Sequence, residues 1–312
     1  MNNCKMNDYI VKNDVIIFSP HYNNLLQLNI ILGYSKIIFS DCELCDKLFD
    51  FYEKNKMNIS KKIIKSNFNQ PVDNLPCTIT HLTFGYRFNK PVDNLPCTIT
   101  HLTFGFFFDK PVDNLPCAIT NLTFGNYFNQ LVDNLPNSIT NLTFGLYFNC
   151  PVNNLPNSIT HLIFGFFFDK PVDNLPCSIT NLTFGYRFNK PVDNLPCSIT
   201  NLTFDEHFNH PVNNLPCSIT NLTFGNDFNQ PINNLPCSIT NLTFGDDFNQ
   251  PVNNLPTMLK KIQTQSLYLF IKIKILIFIK NIKILFMSNE LLNLTIYFVS
   301  EIILLICNYI KN

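Results

Sequence analysis

Pro71–Lys90 reads Pro-Val-Asp-Asn-Leu-Pro-Cys-Thr-Ile-Thr-His-Leu-Thr-Phe-Gly-Tyr-Arg-Phe-Asn-Lys, and this twenty-residue unit decides the fold. Closely similar copies follow without a break as far as Gln250, which gives nine full units, and a tenth begins at Pro251 and fades after Pro256. A fixed period of this length is typical of a solenoid, in which each unit buries its apolar face against its neighbours. The sequence therefore predicts a stack of repeats rather than ordinary globular domains.

Apolar residues hold fixed places in the unit and predict its local structure. Within Ile79–Phe84, Leu82 and Phe84 alternate with polar residues, which is typical of a short β-strand. Pro71 and Pro76 exclude an α-helix from the remainder of the unit. We expect an all-β-rich solenoid with a parallel sheet, an extended or 3₁₀-like back and a cap at each end. The predicted core columns begin at Val72, Leu75, Ile79, Leu82, Phe84 and Phe88.

In-register stacking places equivalent residues in columns about 4.8 Å apart. We expect Asn74 and Asn89 to form polar columns whose side chains bind turn carbonyls and N–H groups. Asp replaces Asn89 in two units, at Asp109 and Asp169. Gly85 ends the strand, and its conservation in eight of the nine units predicts a turn with positive φ.

The unit resembles a known repeat family. Leu75-Pro76-x-x-Ile79-x-x-Leu82-x-Phe84 is similar to the leucine-rich repeat in a short form, and Phe88-Asn89-x-Pro91-Val92 together with Ile79–Gly85 resembles the FNIP repeat more closely. That family is typical of social amoebae and giant DNA viruses. The resemblance implies a leucine-rich-repeat-like solenoid and a protein-interaction role, with no catalytic, metal or cofactor residue. Some relatives place an F-box before the repeats, but residues 1–58 show no Leu-Pro-led F-box pattern.

Three segments are predicted along the chain. Residues 1–58 form a mixed flank, residues 59–262 form the solenoid with degenerate units at its ends, and residues 263–312 form an apolar tail that contains lysines. Ile59, Ile64, Phe68 and Asn69 fall on the phases of Ile79, Phe84, Phe88 and Asn89, which predicts a degraded first unit that acts as a cap. Thr257–Ile262 is expected to complete one last strand.

The tail leaves three interpretations open. Leu291–Ile310 is long enough to span a membrane, and its only charged residue is Glu301. The tail is a cap over the open end of the solenoid, a membrane anchor, or scrambled repeat sequence. We favour the cap, and membrane attachment is the minority interpretation.

Charge and cysteine content indicate which class of partner the chain binds and in which cellular compartment it lies. Residues 71–250 carry six basic and thirteen acidic side chains, which disfavours nucleic-acid binding because phosphate contacts need clustered Lys and Arg. The first twenty residues are polar and predict no secretory signal, so we expect an intracellular, cytoplasmic protein. Seven cysteines share the Cys77 position and are interpreted as unbridged thiols, with disulfide or metal binding as the alternative. Cys42 and Cys45 have zinc-like spacing without a second pair.

Variable positions are where a solenoid can differ in function. They are the two residues after the glycine, the last residue of the unit and the His/Asn position that begins at His81. Exposed Tyr, Phe and Arg are typical anchors of protein interfaces. We therefore predict a non-enzymatic scaffold that binds a protein; the alternative is a near-neutral or structural product of repeat expansion. The candidate binding residues are Tyr86, Arg87, Phe106, Phe107, Tyr127, Tyr147, Phe166, Phe167, Tyr186, Arg187, His81 and His101.

Overall fold

A single thirteen-stranded sheet runs through the computed structural model, which describes residues 8–42, 65–252 and 254–264. The strands follow one another in the sheet in the same order as in the chain, and all except the first pair in parallel. The bounds are β1 Tyr9–Lys12, β2 Val15–Phe18, α1 Leu28–Ile31, β3 Lys36–Phe39, β4 His81–Thr83, β5 His101–Thr103, β6 Asn121–Thr123, β7 Asn141–Thr143, β8 His161–Ile163, β9 Asn181–Thr183, β10 Asn201–Thr203, β11 Asn221–Thr223, β12 Asn241–Phe244 and β13 Lys261–Thr264. The predicted solenoid with a parallel sheet is confirmed.

Each repeat unit forms one rung with a strand and a back made of extended segments and tight turns; the strand has three residues in the first eight units and four in the ninth. The N–H of Ile79 donates to the carbonyl of Pro76 at 3.2 Å, and the N–H of Phe88 donates to the carbonyl of Gly85 at 3.3 Å. These i to i+3 bonds supply the 3₁₀-like turns that the prolines predict. The strand is shorter than the predicted Ile79–Phe84 because Ile79 lies in the turn that precedes it.

The core consists of the six predicted apolar columns. The ring of Phe84 stacks on that of Phe88 with centroids 3.6 Å apart, and each ring also stacks on its equivalent in the next rung. Successive rings lie 5.8 Å apart from Phe84 to Phe104 and 6.1 Å apart from Phe88 to Phe108, which is wider than the strand spacing of about 4.8 Å. The rungs are therefore wedge-shaped, and the sheet lies on their narrow, concave side.

Close approach of neighbouring rungs explains the glycine column, and the predicted positive φ is wrong. Among the described residues, only Asn13 and Gly33 have positive φ. A Cβ built on Gly125 would lie 1.7 Å from the carbonyl oxygen of Gly105. Asp205 stands in this column once, in the seventh unit. Close contact between backbones thus favours glycine in this column.

The first two rungs come from residues before the recognisable repeats. Strand β2 aligns Ile16 with Ile37 of β3, and β3 in turn aligns Ile37 with Leu82. Phe39 stacks on Phe84 at 6.0 Å, so Phe39 precedes Phe84 in this core column. Ile59 and Ile64 themselves lie outside the described residues.

An insertion explains why the period is hidden there. Phe39 and Phe68 stack at 3.8 Å as Phe84 and Phe88 do, although 29 positions separate them along the chain. The carboxylate of Asp41 accepts hydrogen bonds from the N–H groups of Ser66 and Tyr86, both at 2.9 Å. Asp41 and Ser66 therefore lie side by side next to the turn of Gly85, although 25 positions separate them along the chain. Phe68 and Asn69 take their predicted columns.

The two ends of the sheet differ. Strand β1 pairs antiparallel with β2 and caps the first edge. At the other end, β13 pairs with β12 and aligns Ile262 with Leu242, which confirms the expected last strand. Within the described ranges, no helix is long and apolar enough to cross a membrane. Leu291–Ile310 and the tail beyond Thr264 lie outside those ranges.

The glycine column generates a stability prediction. Gly125→Ala should lower the free energy of unfolding by about 1–3 kcal/mol, because the new methyl group overlaps the backbone of the preceding rung. Cys117→Ala, at an exposed turn of the same unit, is the control and should change it by less than about 0.5 kcal/mol. Urea unfolding followed by circular dichroism measures both. Equal stabilities of the two variants would contradict the close-approach explanation.

Candidate functional site

An asparagine ladder runs along one side of the solenoid and confirms the predicted Asn89 column. In every rung the side-chain oxygen at this position accepts the backbone N–H of the equivalent residue one rung later. Asn89 accepts from Asp109 at 3.0 Å, and Asp109 accepts from Asn129 at 3.1 Å. The ladder starts at Asn23 and reaches Asn249 through ten such bonds.

The ladder uses only half of each amide. Its bonds require an oxygen acceptor, which is why Asp serves at Asp109 and Asp169. The Nδ2 groups of Asn69 and Asn89 have no hydrogen-bond acceptor within the described residues. The Asn74 column behaves differently from the prediction: Asn94 donates to the carboxylate of Asp73 at 3.1 Å instead of to a turn carbonyl.

The concave face of the sheet satisfies its own polar groups. The amide of Asn201 donates to Asn181 at 2.7 Å and to the hydroxyl of Thr200 at 3.0 Å, so both of its protons are used. His81 and His101 are brought together, with ring centroids 4.1 Å apart and an interplanar angle of 11°. The polar side chains of this sheet column therefore contact each other and leave few hydrogen-bonding groups free for a binding partner.

The pKa of His81 is lowered to about 4, first by burial and then by the neighbouring His101 and Lys36. The pKa of His101 is also lowered, by burial and by Lys36. Both imidazoles are therefore neutral near pH 7, which permits their face-to-face contact. They form a packed pair rather than a charged binding site.

The rim next to the sheet brings the remaining candidates together. One backbone bond per rung fixes it: the N–H of Phe107 donates to the carbonyl of Tyr86 at 3.0 Å, and that of Tyr127 donates to Phe106 at 2.9 Å. Ring centroids of neighbouring aromatic residues lie 4.4–5.2 Å apart, without a gap. We call this set the aromatic ribbon: Tyr86, Phe106, Phe107, Tyr127, Tyr147, Phe166, Phe167 and Tyr186.

Cations flank the ribbon, and its outer members are exposed. Lys65 lies over the ring of Tyr86 at 4.5 Å, and Arg187 lies over the ring of Phe167 at 4.9 Å. Phe107 is 39% exposed and Tyr127 is 42% exposed, whereas Phe106 and Phe166 are half-buried. The ribbon is therefore a preorganised aromatic surface that is partly open to solvent.

The rim changes character beyond the ribbon. His207 pairs with the carboxylate of Asp227 at 2.6 Å, and Asn226 donates to Glu206 at 3.0 Å. Asp246 and Asp247 follow on the last full unit and are exposed. One solenoid thus presents an aromatic and basic rim in its first part and an acidic rim in its last.

A groove of about 690 Å³ lies between the ribbon and the asparagine ladder in the first rungs. The sequence prediction included Arg87, Phe107 and Tyr127, which line this groove. It missed the lining residues that come from the N-terminal flank, which begin at His21. The missed signal is the spacing of Phe18-Ser19-Pro20-His21-Tyr22-Asn23, which matches that of Phe84–Asn89. The residues that line the groove are His21, Asn23, Asn67, Asn69, Arg87, Asn89, Phe107, Asp109 and Tyr127.

Metal-ligating residues do not cluster in the described part of the chain. No group of three or more His, Cys, Asp or Glu side chains there is placed to hold a metal ion. The seven thiols of the Cys77 column are exposed and free. Cys42 is buried, and Cys45 lies outside the described residues, so the two-cysteine zinc hypothesis stays untested.

Comparison with known proteins identifies the repeat. The family model of the FNIP repeat matches residues 68–107, 131–167, 168–206, 191–227, 208–234 and 228–263. Among solved structures, the chain is similar to the giant-virus protein CroV588, described as a novel circular LRR protein, with 34% identity and a TM-score of 0.59. The match covers 82% of this chain and 51% of CroV588, so the chain spans about half the length of that protein. No curated protein matches.

The asparagine ladder predicts which substitutions it tolerates. Asn209→Ala should lower the free energy of unfolding by about 1 kcal/mol, because the N–H of Asn229 loses its acceptor. Asn209→Asp keeps an oxygen there and should change it by less than about 0.5 kcal/mol. Urea unfolding of the two variants compares them directly. A cost for Asp as large as that for Ala would contradict the acceptor-only role.

The histidine pair predicts a pH dependence. Because the folded-state pKa of His81 is about 4 and its ordinary value is 6.5, the unfolded chain binds the proton first. The contribution of neutral His81 to stability is complete above pH 6.5 and is lost as the pH falls towards 4. His81→Asn should therefore lose less stability than the wild type over this range, measured by urea unfolding at several pH values. His161→Asn, in the same column but outside the pair, is the control; parallel curves for all three proteins would refute the prediction.

Proposed function

Because the chain belongs to the FNIP repeat family, we propose that it is a non-catalytic scaffold that binds a protein partner through the aromatic ribbon. The family implies a repeat scaffold of the leucine-rich-repeat type, and such scaffolds typically mediate protein interactions. The observation that supports the proposal most strongly is the continuous stacking of eight aromatic side chains along one rim.

The physical properties of the ribbon suit a protein interface. Aromatic side chains and Arg are enriched at the anchors of such interfaces, and aromatic rings bury a large area with few rotatable bonds. Phe107 and Tyr127 are already held by ring contacts at 5.1 Å, so a partner would order few additional side chains on binding. Preorganisation of this kind favours affinity without any change in the fold.

Other classes of function receive less support. The buried positions of the nine repeat units are apolar, and the polar columns of the sheet are engaged in hydrogen bonds with each other. The repeats carry an excess of acidic side chains, which opposes binding to nucleic acid. We place neither a catalytic residue nor a cofactor on this scaffold.

A capture experiment tests the ribbon. Phe107→Ser, Tyr127→Ser and Tyr147→Ser combined remove exposed rings from three successive units. The full chain and this triple variant are used as baits in lysate of a social amoeba, and bound proteins are quantified by mass spectrometry. We expect at least one protein to be recovered with the wild type and to fall about tenfold or more with the variant, as a loss of about 1.4 kcal/mol or more requires.

The matched control changes three exposed residues of the same units. Cys97→Ser, Cys117→Ser and Asn137→Ser combined leave the ribbon intact and should preserve capture. Circular dichroism confirms that both triple variants remain folded. If all three baits recover the same proteins in equal amounts, the ribbon is not the binding surface, and the product of neutral repeat expansion becomes the better explanation.

A further inference from the structure

The groove between the aromatic ribbon and the asparagine ladder has a recognisable ligand chemistry. From its unpaired donors, its aromatic wall and its charge, we propose that the groove binds an extended acidic segment of a partner protein. This inference rests on the proposed function, because it names the kind of segment that the partner presents. Four features of the groove support it.

The floor of the groove presents hydrogen-bond donors. The oxygens of Asn23, Asn69 and Asn89 are used by the ladder, and their Nδ2 groups have no acceptor within the described residues. Asp109 is the carboxylate of the lining, and its Oδ1 already accepts bonds from Asn129 and Gln130. A ligand on this floor must therefore be rich in acceptors, as carboxylates and peptide carbonyls are.

The wall of the groove is aromatic and ends in a cation. Phe107 and Tyr127 line it with partly exposed rings, and Arg87 lines it one rung earlier. Arg87 is exposed and its guanidinium has no carboxylate partner among the described residues. An arginine beside aromatic rings binds a carboxylate and an apolar side chain at adjacent points of one segment.

Cations outnumber carboxylates on the rim and ladder columns beside the groove, whereas the repeats as a whole carry an excess of acidic side chains. Lys65, Arg87, Lys90 and Lys110 belong to these rungs. The carboxylates on the same columns are Asp109 and Asp41, and Asp41 already accepts the N–H groups of Ser66 and Tyr86. The Asp73 column lies at a different turn of the unit, where its carboxylates accept bonds from the Asn94 column. The excess of cations beside the groove favours acidic over basic segments.

The dimensions of the groove fit a short extended chain. Its lining spans five successive rungs, from His21 to Tyr127. Ring spacings beside the groove are 4.5 Å on the rim and 6.1 Å next to the ladder, so its four steps cover roughly 18–24 Å. An extended peptide of about six or seven residues covers that distance at about 3.3 Å per residue. Alternating acidic and apolar residues place the two side-chain types on opposite faces of such a peptide, towards the donor floor and the aromatic wall.

The test uses the full-length chain and synthetic peptides. Fluorescence anisotropy compares a labelled peptide of alternating Glu and Leu with its Gln/Leu and Lys/Leu counterparts and with a single-stranded oligonucleotide of equal charge. We expect the Glu/Leu peptide to bind about tenfold more tightly than the Gln/Leu peptide, and its affinity to fall as salt is raised.

Two substitutions place the binding in the groove. Asn69→Asp preserves the ladder oxygen, as Asp169 does when it accepts the N–H of Asn189 at 3.0 Å, but removes a donor and adds a negative charge. Arg87→Glu reverses the charge of the wall. Each should weaken the Glu/Leu peptide about tenfold. The controls make the same changes elsewhere: Asn229→Asp on the acidic part of the ladder and Lys261→Glu on β13 should have no effect.

The outcomes separate this inference from the proposed function. Equal binding of the Glu/Leu and Gln/Leu peptides, equally tight binding of the oligonucleotide, or equal losses in the control variants would each overturn the acidic-segment assignment. If a captured partner depends on the aromatic ribbon while the Glu/Leu peptide fails to bind, only this inference falls. If capture is also independent of the ribbon, the proposed function falls as well.

Discussion

The stacked pair of phenylalanines in each rung is the interaction on which the solenoid depends. Phe84 lies on Phe88 at 3.6 Å, and the pair stacks on its equivalent in the next rung. A twenty-residue unit with a three-residue strand has no core of its own, so its burial comes from neighbours above and below. The same pair, made from Phe39 and Phe68, holds together a rung that an insertion divides. In each of these rungs the phenylalanine pair packs between the strand and the turns.

The sequence predicted those features that recur in every unit and missed those that depend on neighbouring backbones. Leu82, Phe84 and the Asn89 column were found because each recurs at a fixed phase. The reason for Gly125 was wrong, because close contact with Gly105 leaves no trace in local propensity. The early rungs were missed because 21 residues separate Ile16 from Ile37 and 45 separate Ile37 from Leu82, so the fixed period is broken.

The sheet face and the groove differ in how many of their polar groups have hydrogen-bond partners within the protein. On the sheet face, Asn201 spends both amide protons within the protein, and the pair of His81 and His101 is neutral and packed. In the groove, the amide protons of Asn69 and Asn89 remain unpaired among the described residues, and aromatic rings stand beside them. The sequence could identify the variable positions, but not this difference, because satisfaction of a hydrogen bond depends on the rung before and the rung after.

The asparagine ladder also has a consequence for how such a protein evolves. Each rung must supply one side-chain oxygen, and Asn and Asp both supply it, as Asn89 and Asp109 show. Exchange of the two requires a single-nucleotide change in the codon, and every intermediate keeps the hydrogen bond that holds the stack. The charge pattern of the ladder can therefore drift one rung at a time across a connected set of folded proteins, and duplication of a unit copies its charge with it. Selection for a new partner can therefore act on variants of the ladder that all remain folded.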